Sequence, residues 1–282
     1  MRRSTRFLSI ALPAALATVP VALAGPDLAA GGQEATPAAA SSAAASTAKR
    51  ASRPQQGRNL RFVVSTGAVA AVAAGARRQA SPPSEIVVLR PGATVSLRSG
   101  PGGAEASTLG DRTQFGSAQR LGVVRRQGRW LGITAPELPN GTLGWIDSRT
   151  ASIRIERTRW SIHADVSSRT IVLRRSGKTV RRLSVAVGRP GSPTPTGRFA
   201  VTDKLSGGNY GPYYGCCILA ISATQPNTPP GWTGGDRMAI HGTSDPSSIG
   251  AASSAGCLRA ADGDLQLLMR SVPVGTPVVI RR

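Results

Sequence analysis

A histidine and a cysteine lie sixteen positions apart near the end of the sequence, in Met238-Ala239-Ile240-His241-Gly242-Thr243 and in Ser253-Ser254-Ala255-Gly256-Cys257-Leu258-Arg259. The chain has only two histidines and three cysteines, so the pair draws on scarce residue types. A thiol is a poor nucleophile until deprotonated. Its free pKa is roughly 8.5 and rises with apolar burial, so a catalytic cysteine needs a neighbouring base or a positive potential. An imidazole supplies both. Ile240-His241 at the end of a strand, with Gly242 permitting a sharp turn, would hold the ring on a rigid element and leave its other nitrogen free for a backbone carbonyl. Gly256 beside Cys257 would let a substrate carbonyl approach closely, with backbone N–H groups of the turn Ala255 to Cys257 as an oxyanion hole. The plain alternative is that a free cysteine is an inert core residue, and the pair by itself does not decide between the two.

The elements that must carry this pair read as strands. Over 157–282, Leu183, Val185 and Val187 face one way while Arg182, Ser184 and Ala186 face the other, the alternation of a half-buried strand. The same alternation puts Trp160 and Ile162 inside and His163 outside, so His163 reads as a solvated strand residue. Leu265, Leu268 and Met269 have helical spacing, with Asp262 placed before them as an N-cap, and Val278-Val279-Ile280 closes the chain as a strand. Cys216 and Cys217 open the β-type run Cys-Cys-Ile-Leu-Ala-Ile. Alternation sends them to opposite faces as small packing residues, because a disulfide between adjacent residues is sterically awkward. Three cysteines so spaced suit neither a disulfide framework nor a zinc site.

Upstream, residues 86–155 show short runs bounded by glycines: Val95 to Arg98, Leu121 to Val124, Trp130 to Ile133 and Gly144-Trp145-Ile146. The spacing predicts a small all-β barrel with Trp130 and Trp145 closing its core. Residues 25–85 are dominated by Ala, Ser, Thr, Pro and Gly and read as a linker, with a short element suggested near 61–64 and 68–74. Arg2, Arg3 and Arg6 precede an apolar run from Phe7 to Leu23 that ends in small residues, which predicts a signal peptide over 1–24 and an exported protein without a membrane span after processing. Net charge is +21, and three arginines fewer leave +18. Such a chain seeks polyanions. No aromatic-interleaved basic motif or DNA-binding helix appears, so nucleic acid is not the expected partner. Anionic wall polymers or membrane surfaces are the counterparts for an exported protein, and an arginine-rich coding bias is the bland reading of the same charge.

Taken together, His241-Gly242-Thr243, Pro246, Ser248-Ile249-Gly250 and Ser254 to Arg259 resemble the active-site signature of the L,D-transpeptidase catalytic domain, the YkuD-like family. Val187-Gly188-Arg189 with Pro193 to Phe199, and Val274 to Val278, are similar to its lead-in and closing strands, so the resemblance spans 157–282. The stretch Val95 to Pro101, with Gly128-Arg129-Trp130 and Leu143 to Ile146, resembles a bacterial SH3-like module. The resemblance implies a mostly β fold, a barrel followed by a β-rich catalytic domain with one or two short helices. It implies that Cys257 is the nucleophile and His241 its base, supported by Gly242, Gly256, Ala255, Ser254 and Arg259. It also implies release of D-alanine from a peptidoglycan tetrapeptide stem, acylation by carbapenems, and no metal or organic cofactor. Arg259 would bond Ser254 or a substrate carboxylate, or clamp the loop. Tyr213 and Tyr214 fall where the family's substrate groove runs, with packing under the loop as the alternative. One departure stands out: where the family commonly has a second histidine directly before Gly-Cys, this sequence has Ala255. An L,D-carboxypeptidase of the same fold and a non-catalytic wall-binding protein are the rival functions.

Overall fold

A computed structural model describes residues 81–233 and 235–282 of the chain, all within one compact unit. The signal peptide read over 1–24, the linker up to residue 80 and the short elements near 61–74 lie outside the described residues. Alternating apolar residues between glycine turns produce seven strands first: β1 (Ser84–Leu89), β2 (Thr94–Arg98), β3 (Glu105–Gly110), β4 (Arg120–Gln127), β5 (Trp130–Ile133), β6 (Gly144–Asp147) and β7 (Ile153–Thr158). They form one sheet in the order β3-β2-β6-β5-β4-β1-β7 around a core that includes Val87, Leu97, Leu121, Leu131 and Ile146. β1 and β7 pair along six residues, from Ser84 opposite Thr158 to Leu89 opposite Ile153, so this sheet runs past residue 155. Trp145 is buried, but Trp130 does not close the core. It stands at the turn of the β4–β5 hairpin, opposite Gln127, where the Arg98 and Arg129 guanidiniums lie 5.9 and 5.1 Å from its ring as cation–π partners.

The remaining strands are β8 (Trp160–Asp165), β9 (Thr170–Arg175), β10 (Lys178–Ser184), β11 (Val187–Gly188), β12 (Gly197–Ser206), β13 (Cys217–Thr224), β14 (Arg237–His241), β15 (Ala252–Ser254), β16 (Leu258–Arg259) and β17 (Pro277–Arg281). Eight of them make a sheet in the order β10-β9-β8-β17-β12-β13-β14-β16, and β11 pairs with β15 alone. The fold is therefore mostly β. Its one α-helix among the described residues, α1 (Asp262–Ser271), packs Leu265 and Leu268 into a core shared with Leu219, Ile240, Phe199 and Ile162. Aspartates in its first turn and Arg270 in its last match the helix dipole.

Three sequence expectations need correction. The alternation along β10 ends at Ser184: Ala186 is fully buried like Val185 and Val187, because the chain there crosses to the far sheet edge and exchanges backbone hydrogen bonds with Arg259. Asp262 is not the N-cap, a position held by Ala261; its carboxylate turns to two backbone N–H groups in the site described below. Cys216 and Cys217 are joined to each other as a disulfide, at the turn into β13, instead of separating as independent packing residues.

The two sheets meet through close, polar contacts. A Cβ on Gly122 of β4 would come within 2.7 Å of the Ala200 Cβ and 2.9 Å of the Gly275 carbonyl oxygen, so glycine is needed there for approach. Thr134 and Ser222 share a hydroxyl hydrogen bond of 3.0 Å, and Asn140 bonds both the N–H and the carbonyl of Thr224. Asp203 of β12 is fully buried, accepts from the Thr113 hydroxyl of the β3–β4 loop, and has the Arg237 guanidinium 3.9 Å away. Asp203→Ala removes the counter-charge and strands Arg237. We expect it to lower stability by roughly 3 kcal/mol, read as a fall in melting temperature of about 6–12 °C for a unit of this size.

Candidate active site

β14 lies between β13 and β16, and its last residue is His241. The backbone around it is fixed from both sides: Gly242 N–H donates to the Cys217 carbonyl at 3.0 Å and Ala260 N–H to the His241 carbonyl at 2.9 Å. β16 runs parallel to β14 with Ile240 opposite Leu258 and His241 opposite Arg259. Extending that register by one residue sets Cys257 beside Ala239, whose backbone the thiol contacts. Since residues two apart share a face, His241 and Ala239 on one strand and Arg259 and Cys257 on the other all belong to the same face of the sheet.

The tautomer of His241 follows from its contacts. Nδ1 lies 2.6 Å from the Gly242 carbonyl oxygen, so Nδ1 carries the hydrogen and donates it. Nε2 is then the basic nitrogen. It is buried without a hydrogen-bond partner among the described residues, under the rings of Tyr214 at 4.9 Å and Tyr213 at 5.6 Å between centroids. This enclosure pushes the pKa of His241 down to about 4; burial is the main cause, the Gly242 hydrogen bond opposes it, and the Arg259 charge adds to it. Burial likewise pushes the Cys257 thiol up to about 11, against the smaller opposing effects of the Ala239 backbone and Arg259. Both groups are therefore neutral at pH 7. Cys257 keeps partial exposure and lines a small cavity, about 30 Å³, with Tyr213, Tyr214, Gln225, Trp232 and Ala255. That volume holds about one water, so a peptide must lie across its mouth.

The loop before Cys257 is held by its carbonyls. Gln225 donates to the Ala255 carbonyl at 3.0 Å, Thr194 to the Gly256 carbonyl at 2.7 Å and Ser254 to the Cys257 carbonyl at 2.6 Å. Of the N–H groups expected as an oxyanion hole, that of Gly256 is occupied by the Ser254 hydroxyl at 3.0 Å, which narrows the candidates to Ala255 and Cys257. Gly256 adopts φ +122°, and a Cβ there would stand 2.1 Å from Gln225 Nε2, so only glycine fits. Gly242 is required for approach more than for a turn: its Cβ would meet an Asp262 carboxylate oxygen at 2.1 Å. That carboxylate accepts from Cys216 N–H at 3.0 Å and Thr243 N–H at 3.3 Å, tying the histidine strand to the tyrosine turn Pro212–Tyr214. Arg259 bonds Ser253, at 3.0 Å, in place of Ser254, and its guanidinium lies 5.5 Å from the Tyr213 ring.

His241, Gly242, Ser254, Ala255, Gly256, Cys257, Arg259, Tyr213 and Tyr214 thus fall in one region, and three more residues join it. Asp262 was read only as a cap, Thr194 only as part of a Pro-rich lead-in, and Gln225 carried no signal because its partners are 30 and 32 positions away. Phe115 of the first sheet's loop stands edge-on to Tyr210 at 6.2 Å, Tyr210 to Tyr214 at 6.3 Å, and Tyr214 against His241, so an aromatic chain links the two sheets at the site. Among the described residues no group of three or more His, Cys, Asp or Glu is placed to hold a metal ion. Gln225→Leu would leave the Ala255 and Pro193 carbonyls unpaired. We expect it to lower stability by roughly 1–3 kcal/mol, the loss of an unsatisfied buried group, read as a fall in melting temperature of about 2–12 °C for a unit of this size.

Residues 159–280 match the family model for the L,D-transpeptidase catalytic domain. A Bacillus subtilis protein named as a YkuD L,D-transpeptidase is 31% identical over 125 residues, which are 44% of this chain and 66% of that protein. The chain therefore spans slightly less than two thirds of that relative. Among solved structures, the catalytic domain of an Enterococcus faecium L,D-transpeptidase is similar at 22% identity over 43% of this chain and 96% of that one, with a TM-score of 0.32. An L,D-transpeptidase from Mycobacterium smegmatis is similar at 16% identity over 71% and 100%, with a TM-score of 0.38. The segment 159–280, which carries His241 and Cys257, is the part of the chain that matches the L,D-transpeptidase catalytic domain.

Proposed function

We propose that this protein is a peptidoglycan L,D-transpeptidase acting outside the cytoplasm through a Cys257 thioester. Cys257 attacks the carbonyl that links the third residue of a tetrapeptide stem to its terminal D-alanine. Nε2 of His241 takes the thiol proton and passes it to the departing D-alanine amine, so the C–N bond breaks as the C–S bond forms. The N–H groups of Ala255 and Cys257, whose peptide planes are held through the Ser254 carbonyl by Arg189 N–H and through the Gly256 carbonyl by Thr194, receive the charge that develops on the carbonyl oxygen. An amine of a second stem then attacks the thioester, His241 relays its proton to sulfur, and Cys257 is released as a thiol. Water in place of the amine makes the same machinery an L,D-carboxypeptidase.

The observation that carries this reading is His241 itself, with Nδ1 committed to a carbonyl and Nε2 buried and unpartnered on the sheet face that holds Cys257. The leader-like Arg2, Arg3 and Arg6 with their apolar run, and the strongly positive chain, support export and attraction to anionic wall polymers. Among the described residues no helix is long and apolar enough to cross a membrane. Intact mass after incubation with a tetrapeptide stem tests the proposal. A thioester adduct short by one D-alanine, consumed by an added diamino-acid amine to give a cross-linked product, is the expected result. Hydrolysis alone in the presence of the amine favours the carboxypeptidase, and no adduct from stem or carbapenem on folded protein leaves a wall-binding protein.

A further inference from the structure

A second cavity of about 400 Å³ opens on the outer face of the catalytic sheet and shares no residue with the Cys257 cavity. The strand registers build it. Ser161, His163 and Asp165 of β8 point away from the core, opposite Arg174, Val172 and Thr170 of β9, while Val279 and Arg281 of β17 lie beside His163 and Asp165. The intervening Ile162, Ala164, Ile171, Leu173, Val278 and Ile280 fill the core on the other side. This face is thus polar by the same alternation that makes the core apolar. Arg159, Arg174, Arg182 and Arg281 line it against a single carboxylate, Asp165, which already pairs with Arg281 at 3.4 Å.

Arg174 is the pointed feature. Its Nη1 donates to the Gly177 carbonyl at 3.1 Å, and its Nε is buried without a hydrogen-bond partner among the described residues. A buried charged donor left unpaired is unfavourable, and an incoming oxyanion would satisfy it. Seven of the lining residues are serine or threonine, whose hydroxyls both donate and accept as sugar hydroxyls do. His163 adds a neutral ring bonded to Ser161 at 3.0 Å; burial and then the Arg174, Arg281 and Arg198 charges hold its pKa below the usual value. Trp160 supplies apolar surface at one end. His163 is therefore not the solvated residue that strand alternation alone suggests, since the cavity half-buries it.

We propose that this cavity binds an anionic saccharide, with Arg174 and Arg182 on a phosphate or carboxylate group and the serine and threonine hydroxyls on the sugar. Its volume is within the range of small-ligand pockets. The site is independent of the reaction at Cys257 and gives the protein's positive charge a defined place at which to hold a wall polymer.

Calorimetric titration of the full chain with glucose 6-phosphate, glucuronate, glucose and inorganic phosphate tests it. Saturable binding of one or both anionic sugars, at least about tenfold tighter than glucose or phosphate, is expected, since one charge-assisted hydrogen bond contributes about that factor; which sugar binds tells the phosphate source from the carboxylate source. R174Q should weaken it about tenfold or more, and R182Q, which alters an exposed side chain and leaves the fold intact, should weaken it severalfold. Both should leave the rate of Cys257 acylation unchanged. The proposal is overturned if neither anionic sugar binds, if inorganic phosphate binds as tightly as the sugars, or if folded R182Q and R174Q bind like the parent.

Discussion

Cys257→Ala is expected to lose stem-peptide turnover and carbapenem adduct formation together, by at least about 10³-fold, the order of effect that follows removal of a catalytic nucleophile. Its melting temperature should stay close to that of the parent, because Cys257 is a partly exposed residue at the edge of the core and the three hydrogen bonds that hold its loop end on backbone carbonyls. The parent should also show how the thiol rests. With Cys257 pushed up to about 11 and His241 down to about 4, the resting pair is neutral thiol and neutral imidazole. At pH 7 about one thiol in 10⁴ is then ionised, and alkylation by iodoacetamide should be slow and should rise close to tenfold per pH unit between pH 7 and 9. A flat alkylation profile from pH 5 upward would mean a thiolate–imidazolium pair and would sink this account. For the extracytoplasmic enzyme proposed above, a neutral pair would have a functional sense: a thiol that ionises only as substrate arrives resists oxidation between turnovers.

How much of this was readable in advance divides along a physical line. His241, Cys257 and Gly256 lie within one short stretch whose residue types and spacing suggest a nucleophile and its base, while the choice between catalyst and inert thiol, and the place of Tyr213 and Tyr214, come from the resemblance to the L,D-transpeptidase signature. Asp262 and Gln225 act across the sheet, on backbone groups that only the order β13-β14-β16 brings near. A one-dimensional pattern contains no trace of that order. The same holds for Trp130: a tryptophan in a strand flanked by glycines looks like core until the hairpin register puts it beside two guanidiniums. His163 fails in the opposite sense, since alternation gives its face correctly but cannot say that the face is concave. Adjacency disfavours a disulfide at Cys216–Cys217 on general steric grounds, but the turn into β13 brings the two sulfurs together. Alanine at 255 was the one departure from the family pattern, and its meaning is also tertiary. Its carbonyl is held by Gln225, so the side chain missing from position 255 leaves the loop fixed through the backbone.

His241→Gln separates the acid–base role of the ring from its packing, and both parts have a pH signature. Folded His241 titrates near 4 against about 6.5 when unfolded, so between these values the unfolded chain binds a proton that the folded one refuses. Stability from this group is thus whole above pH 6.5 and falls as pH drops, by about 3 kcal/mol once pH 4 is reached. Glutamine has no such proton. The variant is expected to start lower at pH 7.5 because an amide replaces a well-packed ring, but its melting temperature should fall less than that of the parent between pH 6.5 and 4, by about 6–12 °C. Parallel curves would refute the buried neutral histidine. For catalysis, the parent's acylation rate should be nearly level from pH 5.5 to 8.5, since the base is already free and the thiol proton is removed within the site. Without the base, acylation at pH 7 should drop by about 10²–10⁴-fold and then climb with hydroxide concentration, close to tenfold per unit, as solution chemistry supplies the thiolate that Nε2 no longer makes. A variant that keeps a level profile at a reduced rate would assign His241 to positioning and send the search for the base to another residue.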